Sequence, residues 1–453
     1  MDVIHLPFEL WTLIFDLLDI KVQVRLIQLC KTIKDKIFIT DLCNIDYKLK
    51  NKLNEDIIRK YPNIKKLDTY DNPKIKKINH MTNLRILHAG GYACGIYDLV
   101  GLNLVELDAN WNPKIKNINH MTNLRILHVA GNCQVDDEDL IGLNLIELSI
   151  TSNIKIKNIN HMTNLKILHA CDDCEIRDDD LVGLNLVELN VSDNRKIKNI
   201  NHMTNLKILH AGWNSGIDDN TLIGLNLVKL NASANPKIKK INHMTNLKIL
   251  NADGGNSGID DNTLIGLNLI ELHAFNNPKI KKINHMTNLR ILDAGGNSGI
   301  DDNTLIGLNL VELNAYANPK IEKINHMTNL RILNAGENSG IDDDSLVGLN
   351  LVELDASLNP NIKKINHMTN LRILDASFNS GINDDSLAGL NLVKLDAWNN
   401  PKIKKINHMT NLRKLDASFN SGVDDDSLVS TFGGLNLIEL EALNNPKIKK
   451  SNI

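Results

Sequence analysis

From residue 64 onward, apolar and polar positions alternate in a short unit that recurs to the end of the chain. Two successive copies read L-x-x-L-x-A-x-x-N-x-x-I, with Leu310, Leu313, Ala315, Asn318 and Ile321 in one and Leu330, Leu333, Ala335, Asn338 and Ile341 in the next. Leu and Ala alternating over a few residues predict a short strand with one face buried, and the intervening residues face the other way. The unit is about 20–21 residues long and comes in two alternating forms. One form carries INHMTNL, which occurs nine times, beginning at residues 78, 118, 159, 200, 241, 283, 324, 365 and 406; the other carries GLNL, also nine times. A chain built this way buries its apolar rows by stacking turn on turn, each turn touching only its neighbours.

The first 63 residues carry a different pattern. Leu10, Ile14, Leu17 and Leu18 form one apolar face of a predicted helix, with Pro7 at its first turn and Glu9 placed to complement its dipole. A second stripe, Val22, Leu26, Leu29, Cys30, Ile33 and Ile37, predicts another helix. Residues 41–63 read as a helical connector and N-terminal cap, in which Leu49, Leu53, Ile57 and Ile58 are able to cover the first turn of the array.

The repeating unit resembles the leucine-rich repeat, whose pattern is L-x-x-L-x-L-x-x-N-x-L, with Ala standing where the third Leu is usual. The resemblance covers residues 64–453 as about nineteen repeats. It implies an α/β solenoid: a horseshoe with a parallel sheet on its concave face and a slim cross-section at the Ala row. The recurrent Asn is expected to enter the turn after the strand and to bond backbone groups of stacked turns. In eight repeats it is followed by Pro, which fixes the chain leaving the strand. Lys237 to Lys240 in one half aligns with Ile259 to Asp261 in the next, so Lys and Asp are expected side by side along one flank.

Differences between such similar repeats point to the binding face. Residues two, four and six positions after the first Leu are expected on the concave surface and the seventh at its rim. The sixth and seventh positions hold Tyr70, Trp111, Trp213, Phe275, Tyr316, Phe378, Trp398 and Phe419, eight of the eleven aromatic residues beyond residue 63. Aromatic side chains are frequent interface anchors, so these residues predict a face for a protein partner. The fourth position changes from His88, His128, His169 and His210 to Asp293, Asp355, Asp375, Asp396, Asp416 and Glu441. An acidic C-terminal half favours a basic segment of that partner.

Composition limits the alternatives. With 51 basic and 54 acidic side chains the net charge is −3, so there is no general attraction to nucleic acid or to an anionic membrane. No apolar run reaches the roughly 18 residues of a membrane span. The chain reads as intracellular, in cytoplasm or nucleus, with reduced cysteines. Its 66 Asn, with abundant Ile and Lys, are similar to the usage of AT-rich protist or large-virus genomes, which would place a viral chain in a host cell. The nine histidines of INHMTNL lie two turns apart, roughly 9.5 Å at strand spacing, too far to share a zinc, and are expected to be structural. Cys94, Cys133 and Cys174 stand where other repeats carry Ser, as at Ser298 and Ser339, and read as small buried fillers. No cofactor, metal or catalytic constellation is predicted: near-identical turns present like groups in rows, whereas an active site needs unlike groups converging on one point.

The order L-P-F-E-L-W-x-L-I-F-x-x-L from Leu6 to Leu18, followed by Leu26 and Leu29-Cys30-Lys31, resembles an F-box, with Ile33 where that family usually carries Trp. The resemblance places an F-box-like module at residues 3–40. It implies docking on a Skp-type adaptor of a cullin-RING ubiquitin ligase through Leu6, Pro7, Glu9, Leu10, Ile14 and Leu18. With the repeats, the chain is similar to F-box/leucine-rich-repeat proteins, in which the array recruits a protein target. The alternative is a leucine-rich-repeat scaffold or binding protein whose N-terminal helices only cap the solenoid. The insertion Ser430-Thr431-Phe432 has no assigned role.

Overall fold

A computed structural model describes residues 14–29, 38–429 and 435–449. The chain divides into two compact units, one ending at Leu225 and the other beginning at Asn226. Leu6, Pro7, Glu9 and Leu10 lie outside the described residues, as does the Ser430–Phe432 insertion.

The first unit opens with helix α1 (Ile20–Leu29), a two-residue strand β1 (Asp41–Leu42) and single-turn helices α2 (Tyr47–Lys50) and α3 (Glu55–Ile58). Eight three-residue strands follow, from β2 (Lys66–Asp68) to β9 (Ile208–His210). The stretch 41–63 is thus not helical throughout. Asp41 and Leu42 pair in parallel with Lys66 and Leu67, so that β1 supplies backbone partners to the first strand of the array. Leu53 and Ile58 are buried beside it, and Asn72 Nδ2 donates to the carbonyls of Lys50 and Leu53 at 3.3 and 3.2 Å. The second unit runs from β10 (Lys229–Asn231) to β20 (Glu439–Glu441) and holds eleven strands.

Within each unit every described strand pair is parallel and in register, Leu opposite Leu and flanking residue opposite flanking residue. This is a parallel-strand solenoid of leucine-rich-repeat type. Its core is a set of one-residue-wide rows: Leu310, Leu313, Ala315 and Ile321 of one turn are fully buried, as are Leu330, Ala335 and Ile341 of the next. Each buried Leu contributes roughly 1.5–3 kcal/mol, and the rows replace the single large core that the few aromatics of this chain do not supply.

Polar residues close each turn. The buried Asn recurs in alternate turns only. Asn318 Nδ2 donates to Ala294 O (2.7 Å) and Ile300 O (3.2 Å) of the preceding turn, while its Oδ1 accepts from Lys320 N (3.1 Å). Asn112, Asn277 and Asn400 repeat the arrangement. In the intervening turns the aligned Asn, such as Asn338, is exposed and the next residue, Ser339, is buried in its place. The ladder therefore steps by two turns.

The histidines of INHMTNL serve the same end: Nε2 of His326, His367 and His408 lies 3.1–3.3 Å from a leucine carbonyl one turn back. The expected Lys–Asp flank takes another form. Asp302 Oδ1 accepts from the backbone N–H groups of Glu322 and Lys323 at 2.7 and 2.8 Å, and Asp343 and Asp384 do likewise one and two long periods on. These carboxylates hold backbone amides of the following turn.

Candidate partner-binding face

Four positions per turn, the second, fourth, sixth and seventh after the first Leu, form the outward face of the strands and its edge. At the second and fourth positions after the first Leu, side chains are half-buried around the fully buried central Leu, as in β14 (Glu312–Asn314). The fourth position ends the strand with an Asx turn: Oδ1 of Asn314, Asn334, Asp355 and Asp375 accepts the N–H two residues on at 2.9–3.0 Å. Asp and Asn serve equally in this bond, since both offer a carbonyl-type oxygen. The acidic residues thus have a structural task that Asn performs in neighbouring turns.

The seventh position has a left-handed backbone in turn after turn, with φ of 60° at Trp111 and at Trp213, 58° at Phe378 and at Phe419, and 55° at Leu358. Gly occupies this position in several turns and Asn in others, as the conformation favours. A bulky side chain there costs about 1–2 kcal/mol relative to its preferred backbone. Four of the eight aromatic residues picked out from the sequence, Trp111, Trp213, Phe378 and Phe419, sit in that strained position.

The other four, Tyr70, Phe275, Tyr316 and Trp398, occupy the sixth position. Tyr70 and Trp213 are exposed, whereas Phe275, Tyr316, Phe378 and Trp398 are half-buried. Several rings lie on the backbone of the following turn. A methyl group added to Gly131 would come within 2.3 Å of the Trp111 ring, and one on Gly295 within 2.8 Å of Phe275. These rings therefore shield strand ends as well as presenting a surface. Tyr92, which lies outside the sixth and seventh positions and was not picked out from the sequence, joins them, its ring centroid 5.7 Å from that of Trp111. Its partner comes from the next turn, so only the stacked geometry reveals it.

In the second unit three rings form a continuous group. Phe378 and Trp398 meet at 4.1 Å with planes at 77°, and Trp398 and Phe419 at 5.1 Å with planes at 75°. Beside them, β16 (Glu353–Asp355), β17 (Ile373–Asp375), β18 (Lys394–Asp396), β19 (Lys414–Asp416) and β20 set Asp355, Asp375, Asp396, Asp416 and Glu441 in one row, one from each strand. Burial raises Asp375 above the usual carboxylate range, aided by the charge of Asp355. Burial, then the carboxylates of Asp375 and Asp416, push Asp396 up to about 6 against the pull of Trp398 N–H and Lys394. A depression of about 210 Å³ lined by Lys394, Asp396, Lys414, Asp416, Glu439 and Glu441 lies along this row. Lys414 is tied to Glu439 at 2.8 Å.

The row is less of a gradient than the sequence reading made it. Asp68 and Asp108 occupy it in the first unit and His273 in the second. The early histidines are partnered: His88 Nε2 lies 3.3 Å from Glu106 Oε1 and His128 Nε2 2.9 Å from Glu147 Oε1. These histidines are tied to the neighbouring strand, whereas the fourth-position row carries carboxylates in five consecutive turns only from Asp355 to Glu441.

Cys94, Cys133 and Cys174 are buried in the place of the Ser residues. Burial pushes the thiols of Cys133 and Cys174 up to about 11, which suits packing and not nucleophilic chemistry. Among the described residues no group of three or more His, Cys, Asp or Glu is arranged to hold a metal ion, and no helix is long and apolar enough to cross a membrane. At the N-terminal end Ile14 is 40% exposed and Leu18 half-buried, while Phe15 between them is buried.

No family model matches the chain, and no curated protein does. Solved structures do. An internalin from Listeria monocytogenes is similar at 21% identity over 73% of this chain and 86% of its own, with a TM-score of 0.32. A leucine-rich-repeat protein of Leptospira interrogans is similar at 18% identity over 88% of this chain and 94% of its own, TM-score 0.38. A chain of the yeast Rad7 and Elc1 complex is similar at 16% identity over 95% and 92%, TM-score 0.34. The solenoid is assigned from the register and turn geometry of the chain itself.

Proposed function

We propose that this chain is a non-catalytic receptor whose strand face recruits a protein target. The observation that carries the reading is the placing of aromatic side chains at the strand edge, four of them in a left-handed backbone that favours Gly or Asn. The fold enforces this conformation in turn after turn, also at Ala234, Ala317, Glu337 and Leu358, so the choice of large rings there is what points to a partner. A packing role alone does not call for Trp there, because Gly, Asp and Asn occupy the same position in other turns. Rows of like groups along the face suit an extended partner that contacts several turns.

The N-terminal segment adds the second half of the proposal. Its F-box-like residues, Leu6, Pro7, Glu9, Leu10, Ile14 and Leu18, dock on a Skp-type adaptor, and ubiquitin transfer takes place on other subunits of the ligase. The test is co-purification of the full chain with a Skp-type adaptor, compared with a Leu6→Ala, Pro7→Ala double variant. Retention by the unaltered chain and loss in the variant are expected. No retention by the unaltered chain would leave the second reading, a scaffold or binding protein whose N-terminal helices close the first turn.

A further inference from the structure

The last turns of the second unit combine two features that no other described part of the chain brings together. Phe378, Trp398 and Phe419 form a ring group spanning three successive turns. The same turns carry Asp375, Asp396 and Asp416 three or two residues before each ring. We propose that this surface binds an arginine-bearing, extended segment of a protein partner, its guanidinium groups stacking on the rings and pairing with the carboxylates. The inference rests on the receptor reading above and specifies the chemistry of its partner.

Charge complementarity selects the occupant. The fourth-position row holds five carboxylates from Asp355 to Glu441, while the second-position row holds Glu353 and Glu439 against Lys394 and Lys414 and so balances. These two rows together therefore carry about five net negative charges over five turns, which repels phosphate backbones and attracts cations. Burial first, and the neighbouring carboxylates after it, raise Asp375 and Asp396, and a bound cation would offset the second of these causes. Aromatic faces attract a cation within about 6 Å of the ring centroid. Arginine satisfies both components at once, because its planar fork stacks on a ring and still offers paired donors to a carboxylate, whereas the compact ammonium of lysine offers a point charge. An extended peptide crossing the strands presents same-side residues about 7 Å apart over a row stepping by about 4.8 Å. Two same-side steps, about 14 Å, match three steps of the row, so three arginines at alternate positions span four of its carboxylates.

The test uses the full chain and a fluorescein-labelled Gly-Ser dodecapeptide carrying three arginines at alternate positions, with lysine and glutamate counterparts, read by fluorescence anisotropy. The arginine peptide is expected to bind several-fold more tightly than the lysine peptide, and the glutamate peptide not at all. Trp398→Leu is expected to weaken the arginine peptide by about three- to thirty-fold and the lysine peptide by less. The Asp375→Asn, Asp396→Asn, Asp416→Asn triple variant should lose at least about ten-fold for both, and its folding is checked by circular dichroism, Asn being native at this position in other turns. Equal binding of the arginine and lysine peptides, insensitive to Trp398→Leu, would reduce the site to diffuse charge and overturn the proposal, as would binding that the triple variant leaves unchanged. If a cellular target still cross-links to the strand face of the triple variant, the receptor reading stands while this inference falls.

Discussion

Replacing Asp396 by Asn is expected to stabilise the protein at neutral pH while weakening its binding face. Asp396 sits between Asp375 and Asp416 on adjacent strands, and burial with these two charges pushes it up to about 6 from 3.8. The sign follows from linkage: a carboxyl whose folded value is raised holds its proton more tightly in the folded state. Its contribution is fully present below about pH 3.8 and is lost as pH rises through about 6. Asparagine does not titrate, so the variant escapes that loss. Its Oδ1 keeps the bond to Trp398 N, which Asp396 now accepts at 2.9 Å, as Asn314 does for Tyr316 N at 3.0 Å. The difference of about 2 units corresponds to about 3 kcal/mol at most; because the carboxyl is only partly buried, solvent screening reduces it to about 1–2 kcal/mol. In a unit of this size that is about 2–8 °C in melting temperature. Thermal denaturation of both proteins at matched pH from 4 to 7.5 measures it. The curves are expected to coincide near pH 4 and to separate steadily toward pH 7, with the variant above. Parallel curves, or a variant less stable at pH 7.5, would refute the claim that the acidic row is a strained feature of the fold.

Two further substitutions test the turn and the strand edge separately. Asn318→Ala removes two donations to Ala294 O and Ile300 O and the acceptor for Lys320 N; leaving these buried groups unpaired is expected to cost about 3–5 kcal/mol, seen as a lower urea midpoint or a transition that splits, as linear arrays allow. Trp213→Asn places at φ 60° a residue that tolerates the left-handed region; because the Trp213 side chain is 61% exposed, stability is expected to stay equal or rise by up to about 1 kcal/mol, while any target held by the first unit is released.

The solenoid was legible because its signals are local and repeated. Leu at the start of the unit and again three residues on, with Ala two residues after that, report burial directly, and the observed rows follow them residue for residue. What the pattern did not show depends on neighbours a turn away. Asn318 and Asn338 occupy the same place in the alignment, yet only the first is buried, because Ser339 fills the pocket in the other form of the turn. The Lys–Asp flank seemed electrostatic in sequence, whereas Asp302 and Asp343 take up backbone N–H groups of the next turn. Asp41–Leu42 forms a strand in a stretch that reads as helix, since pairing with Lys66–Leu67 outweighs local propensity. On the binding face, the aromatic positions were visible as exceptions to the repeat. That Phe378, Trp398 and Phe419 touch one another, that Trp111 lies over Gly131, and that the acidic residues also close Asx turns emerges only when the turns are stacked.

The central claim is that the strand face is where this chain meets its partner, and site-specific photo-cross-linking tests it most directly. A photoreactive phenylalanine is placed at Phe378 on that face and, in a second protein, at Ile306, an exposed residue in the loop between strands β13 (Ile291–Asp293) and β14. The account predicts a discrete cross-linked target from position 378, competed by unlabelled wild-type chain, and none from position 306. A target captured from position 306 and absent from 378 would contradict it.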